Sequence, residues 1–171
     1  MKEKAIITTE RYDSPCGVLM LGALGDKLCL CDWQVEKHCE RVRNRLRRVL
    51  HAEFVAGPSA VTARAARQLD EYFAGKRRAF DIPLLFAGTD FQQTVWRSLL
   101  TIPYGETLSY GAIARQTGMP RAVRAVANAN GANAMSIFVP CHRVIGSNHT
   151  LTGYGGGLAT KEYLLRLEAT L

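Results

Sequence analysis

The sequence predicts an α+β protein in two parts: a small antiparallel sheet with helices over residues 1–88, then a mostly helical domain over residues 89–171 that contains a helix-turn-helix. Three observations predict it. The first third alternates apolar and polar residues around a glycine- and aspartate-rich loop, Gly22-Ala23-Leu24-Gly25-Asp26. From Thr89 onward apolar residues recur at helical spacing. Two of the later helical segments are separated by Gly118-Met119-Pro120, which turns the chain between them.

Lys4–Thr9, Cys16–Leu21 and Lys27–Trp33 read as strands, the last two joined as a hairpin. In the third, Leu28, Leu30 and Asp32 face one way and Cys29, Cys31 and Trp33 the other. Glu36–Leu50 reads as a helix whose apolar face is Val42, Leu46, Val49 and Leu50. Around that face stand Arg41, Arg43, Arg45, Arg47 and Arg48, without interleaved aromatic or glycine residues. Such a helix is a solvated amphipathic one, its arginine stems covering apolar surface, rather than a nucleic-acid reader. Gly57-Pro58-Ser59 breaks the chain, and Ser59 caps a second helix that runs to about Phe73 and stops at Gly75. Lys76–Phe86 is predicted to be a linker and a last strand, with Gly88 as the boundary.

In the second part Thr89, with Gln92 three residues on, makes a capping box for a helix carrying Phe91, Val95, Trp96, Leu99 and Leu100 on one face. Ile102-Pro103-Tyr104-Gly105 ends it; Ser109 starts a short helix, Tyr110–Gln116, and Arg121–Ala129 forms the next. Apart from Arg124, the side chains from Ala122 to Ala129 are alanine, valine and asparagine. A major-groove reader carries several long polar side chains, whereas small ones let a helix backbone come close, which suits a minor groove. Ser136-Ile137-Phe138-Val139 reads as a buried strand that Pro140 ends, since proline has no N–H for a ladder.

With 171 residues, 47% of them apolar, the chain can bury a core without staples. No stretch approaches the roughly 18 uninterrupted apolar residues of a membrane helix, and Met1-Lys2-Glu3-Lys4 lacks a hydrophobic signal core, so a cytoplasmic protein without membrane partners is expected. Five cysteines are an odd number and argue against a disulfide framework. A formal charge of +7 gives a field that attracts polyanions. Cys29, Cys31, His38 and Cys39 are soft ligands within a short span, but their spacing is not that of a zinc finger, and no metal is expected.

Chemistry concentrates at Pro140-Cys141-His142-Arg143-Val144. Only a thiolate attacks carbon, and a neighbouring base or positive charge makes one available near neutral pH. His142 and Arg143 adjoin Cys141 in sequence; on an extended segment adjacent side chains diverge, so contact between thiol and imidazole would run through a water or a distant residue.

Together with Arg121-Ala122-Val123-Arg124-Ala125-Val126-Ala127, Asn133, Gly153-Tyr154-Gly155-Gly156-Gly157-Leu158 and Lys161-Glu162-Tyr163-Leu164-Leu165, this pentapeptide resembles the O6-alkylguanine-DNA alkyltransferases in order and spacing from about Thr89 to Glu168. Before Thr89 the resemblance is one of layout, and it implies a ribonuclease H-like N-terminal domain and a winged-helix-like C-terminal one. The activity implied is DNA repair: direct transfer of the alkyl group of O6-alkylguanine, and of O4-alkylthymine as a further substrate, to Cys141. The target base is flipped out of double-stranded DNA from the minor groove. A thioether has no cheap reversal, so one molecule repairs one lesion and needs no cofactor.

By position the resemblance makes Cys141 the nucleophile, His142 the general base acting through a water, Glu168 its orienter, and Asn133 the residue that holds the turn. Tyr110 would protonate or hydrogen-bond the departing base, tuned by Lys161. Pro140 and Tyr154 would wall the pocket, the carbonyls of Cys141 and Val144 would receive the guanine amino group, a backbone N–H near Gly155 would meet O6, and Gly156 would leave the rim open to groups larger than methyl. Ala122, Val123, Ala125 and Ala127, with Tyr110, would line the DNA-facing helix, and Arg124 would take the place of the rotated-out base. Two other classes compete. A lesion-binding relative of these proteins carries another residue at the cysteine position, and a plain helix-turn-helix regulator needs base-reading side chains and a dimer interface. Cys141 opposes the first; the absence of both features opposes the second and favours a monomer.

Overall fold

A computed structural model describes residues 3–169, and the chain divides at Gly88 and Thr89 into two compact units. In the first, β1 (Ala5–Ser14), β2 (Gly17–Leu24) and β3 (Lys27–Trp33) form an antiparallel meander. Both hairpins are tight: Ser14 pairs with Gly17 around Pro15-Cys16, and Leu24 with Lys27 around Gly25-Asp26. The first two strands therefore run longer than the sequence predicts, the third keeps its predicted bounds, and Cys16 lies in a turn. Gly22, expected in the hairpin loop, is inside β2, where a Cβ would stand 2.9 Å from Leu30 Cβ and 3.1 Å from Ile7 Cγ2. Only glycine lets the strand pass so close to its neighbours.

The helix α1 (Glu36–Leu50) buries Val42 and Leu46, while Val49, expected on the same face, is exposed. His51 follows it with φ 48°, a left-handed cap that reverses the chain at once into β4 (Ala52–Ala56). That strand was not predicted. It pairs parallel with β1, so the sheet order is β3-β2-β1-β4, an antiparallel meander with one parallel strand added. The arginines of α1 serve the unit itself: Arg43 donates to Gln34 Oε1, Arg45 to the Ala87 carbonyl, and Arg47 lies 5.0 Å over the Phe54 ring.

The helix α2 (Ala60–Phe73) is capped by the Ser59 hydroxyl, as its sequence predicts. It packs on the face of β1 that carries Glu10 and Tyr12, through Thr62 to Glu10 and Tyr12 to Asp70. The strand expected before Phe86 is a single bridge from Leu84 to Leu28, since Pro83 can accept from Leu28 N but has no N–H with which to extend a ladder.

In the second unit Thr89 and Gln92 form the predicted reciprocal box at the start of α3 (Asp90–Leu99). Val95, Trp96 and Leu99 are buried, whereas Leu100 ends the helix 45% exposed. The two residues of β5 (Leu108–Ser109) lead straight into α4 (Tyr110–Gln116), and α5 (Val123–Gly131) begins two residues later than expected. The indole of Trp96 donates to the Ala129 carbonyl at 2.8 Å, tying α3 to the end of α5. The last helix, α6 (Leu158–Ala169), closes the unit. Among the described residues no helix is long and apolar enough to cross a membrane.

Candidate active site

The run Ser136–Val139 is buried, but it is a tight turn and not a strand: Val139 N donates to Met135 O and Phe138 N to Ser136 O, each at 2.9 Å. Ile137 takes φ 73° inside it. A left-handed β-branched residue costs about 1–2 kcal/mol, and Asn133 holds the strained turn, its Nδ2 donating to Val139 O and its Oδ1 accepting from Met135 N, both at 2.9 Å. Beyond Pro140 comes a single 3-10 turn, Cys141–Arg143, followed by β6 (Val144–Ile145). All three residues of that turn are buried, with Cys141 4% exposed and His142 0%.

The imidazole of His142 is committed on one side. Its Nε2 lies 2.7 Å from Glu168 Oε2, while Nδ1 is buried with no hydrogen-bond partner. Glu168 is held in turn by Arg143, whose Nε and NH2 nitrogens donate to its two oxygens at 2.8 and 3.0 Å and whose third arm reaches the Ile102 carbonyl at 2.7 Å. Gly105, at φ 80°, brings its N–H to 3.3 Å from Glu168 Oε1. Burial pushes the Glu168 carboxyl up, but the hydrogen bond of His142, and then the hydrogen bond and charge of Arg143, outweigh it and hold the group well below the usual carboxylate range. Burial also pushes His142 below its ordinary value of 6.5; Glu168 opposes that shift, and Arg143 and Lys161 add to it. At neutral pH the imidazole is therefore neutral, and the permanent charge of Arg143 is what keeps the carboxylate ionised. An ionised Glu168 can only accept, so the imidazole proton sits on Nε2 and Nδ1 presents its lone pair.

A second group of side chains lies across β5 and β6. The parallel pairing of Leu108 with Val144 and Ser109 with Ile145 sets Tyr110, the first residue of α4, beside the cysteine turn. Lys161 is fully buried on α6; its Nζ donates to the Val144 and Thr152 carbonyls at 2.7 Å each and stands 6.0 Å from the Tyr110 ring centre. Burial lowers its ammonium, and a negative charge on Cys141, the thiolate, raises it. Lys161 thus favours the thiolate.

Pro140 is buried, and Tyr154, Gly155 and Gly156 are half-buried in the turn that leads into α6, where Gly157 takes φ 92°. The Cys141 carbonyl, expected to receive the guanine amino group, already accepts from Val144 N and from Asn130 Nδ2 at 3.4 Å, and the Val144 carbonyl accepts from Lys161. On α5, Val123, Arg124 and Ala125 are exposed and Ala127 is half-buried. Ala122 stands at the N-cap position, just before the helix. Of the four soft groups in the first unit, Cys29 meets the Gly22 carbonyl, His38 meets Asp32 Oδ1 at 3.0 Å, and Cys39 meets the Glu36 carbonyl.

Two family models match this chain: the ribonuclease-like domain of 6-O-methylguanine DNA methyltransferase over residues 7–86, and the DNA binding domain of 6-O-methylguanine DNA methyltransferase over residues 90–170. A methylated-DNA–protein-cysteine methyltransferase of Mycobacterium tuberculosis is 49% identical over 156 residues, 91% of this chain and 88% of its own. The chain belongs to this methyltransferase family. Another relative of that name, from Methanosarcina barkeri, is 45% identical and matches over 91% of this chain and 93% of its own. In fold, the crystal structure of Mycobacterium tuberculosis OGT in complex with DNA superposes with a TM-score of 0.82 at 46% identity, covering 96% of this chain and 93% of that one.

Within this methyltransferase, sequence reasoning left three side chains unassigned that the geometry brings to the site. Arg143 adjoined the cysteine in sequence as a neighbouring positive charge, but its fork on Glu168, 25 residues on, is set by the fold. Asn130 and Thr152 gave no such signal, since turns and helix ends commonly carry either residue.

Proposed function

We propose that the chain repairs DNA by moving the alkyl group of O6-alkylguanine to Cys141, acting once per molecule as a monomer on double-stranded DNA. The observation that carries this reading is the buried imidazole of His142, its Nε2 bound to an ionised Glu168 and its Nδ1 lone pair open, one residue from a buried thiol. The relatives' name, and the OGT structure holding DNA, support the same substrate.

The Cys141 proton passes to His142 Nδ1, directly or through a water, and Sγ attacks the alkyl carbon. The S–C bond forms as the C–O6 bond breaks, and the electron pair leaves with guanine. Tyr110 hydrogen-bonds the ring nitrogen on which charge develops, and as His142 releases its proton to solvent the guanine anion takes one up, so that thiol and alkylguanine end as thioether and neutral guanine. Glu168 takes no proton, because Arg143 already satisfies the charge that proton would neutralise. A thiol only 4% exposed cannot meet a stacked base, so the nucleotide is extruded, and exposed Arg124 at the start of α5 fills the gap. O4-alkylthymine offers the same alkylated exocyclic oxygen and reacts likewise. A reducing, cytoplasmic setting suits five cysteines with no disulfide among the described residues.

Incubation with duplex DNA containing O6-methylguanine should add one methyl group, about 14 Da, which peptide mapping places on Cys141. Cys141→Ala should bind the DNA and take up nothing. A methyl on Cys29 or Cys31, or continued turnover with excess substrate, contradicts the mechanism.

A further inference from the structure

Thr152 stands between the cysteine turn and α6, and both of its oxygens engage the groups on the leaving-group side. Oγ1 donates to the Tyr110 hydroxyl oxygen at 3.2 Å, and its carbonyl accepts from Lys161 Nζ at 2.7 Å. We propose that Thr152 is a positioning residue that aims the Tyr110 proton at the departing base; this rests on the function proposed above.

The argument is one of donors and acceptors. A phenol has one proton to give and lone pairs to receive with. Once Thr152 donates to it, the Tyr110 proton cannot point back along the same line, where two hydrogens would collide. Lys161, 6.0 Å from the ring centre, carries donors only and offers that proton nothing. The proton is thereby left for a base presented to Cys141. Without the threonine hydroxyl the phenol proton divides between its two in-plane orientations, and the hydrogen bond needed in the transition state must first be oriented. The carbonyl of Thr152 has a separate duty, holding the segment against Lys161, which any residue at this position can perform.

Substitution separates the two duties. Thr152→Val keeps the backbone carbonyl and the branched shape but removes the hydroxyl; Thr152→Ser keeps both. The residue is exposed, so neither change threatens the core. In single-turnover assays Thr152→Val should slow alkyl transfer about tenfold, the scale of one neutral hydrogen bond. The loss should be equal with O6-methylguanine duplex and with free O6-benzylguanine, because extrusion is not involved. Thr152→Ser should restore the rate to within about twofold, and Thr152→Val should add no loss to Tyr110→Phe, as expected for two residues acting through one contact. A wild-type rate in Thr152→Val, equal losses in the Val and Ser variants, or additive losses with Tyr110→Phe overturn the inference while leaving the proposed function standing. A wild-type chain that takes up no alkyl group from either substrate overturns that function and the inference together.

Discussion

Glu168 joins chemistry to stability at the scale of single residues. Its carboxylate receives the forked guanidinium of Arg143 and the imidazole of His142 in a place where almost no water reaches, with side-chain exposures of 1%, 7% and 0%. Removing one partner from such a buried pair leaves an uncompensated charge, at a cost of about 3–5 kcal/mol. Arg143→Met should lower the free energy of unfolding by that amount in urea titrations and also slow transfer, because a Glu168 that takes up a proton can donate to His142 and drive the imidazole to the wrong tautomer. Adding Glu168→Leu should return part of the stability and none of the rate. Recovery of both would mean that the pair only fills space. The cysteine, histidine and glutamate were legible in sequence, since the Cys-His step and the distant carboxylate stand in a recognisable order. Arg143's share was not: that His142 and Arg143 both reach Glu168 depends on the tight 3-10 turn, whereas adjacent side chains on an extended segment diverge.

Elements show the same division between local and distant causes. Caps written in adjacent residues were readable: the hydroxyls of Ser59, Thr89 and Ser109 each accept from a backbone N–H three residues on, as their sequences predict. Elements that depend on a remote partner were not. The strand β4 exists because β1 offers it a parallel edge, and β5 and β6 are two residues each, too short to show a period. Ser136–Val139 misled because β-branched and aromatic residues report burial as much as extension, and burial is what they found there. The small-residue helix α5 presents Arg124 to solvent while Val126, Ala129 and Asn130 face inward. If Arg124 serves extrusion, Arg124→Ala should slow repair of duplex DNA by about tenfold or more, the scale of lost unstacking assistance. Reaction with free O6-benzylguanine should stay near the wild-type rate, and equal losses on the two substrates would reject the assignment.

Over the whole molecule, buried titratable groups in the two units respond to acid in opposite directions. In the first unit burial raises the Asp32 carboxyl, against the pull of His38 and then of Arg45 and Arg43, so the folded state binds its proton more readily than the unfolded chain and gains stability as pH falls. In the second unit His142 is depressed below 6.5, so the unfolded chain binds the proton more readily. Its contribution is fully present above that value and is lost as pH falls through the folded one. Glu168 has the same sign, but its loss begins only below the ordinary carboxylate value of 4.5, leaving His142 as the group that acts in mild acid. The sequence supplies a reporter for each unit, because its two tryptophans, Trp33 and Trp96, are both buried and fall one on each side of the boundary. In a Trp33→Phe background, Trp96 fluorescence should give a urea midpoint that falls between about pH 7.5 and about pH 5. Adding His142→Asn should flatten that fall, since the proton-binding difference goes with the imidazole. A midpoint that holds steady, or one that falls equally without His142, would show that the imidazole is not buried in its neutral form and would remove the basis for Nδ1 as the acceptor of the cysteine proton.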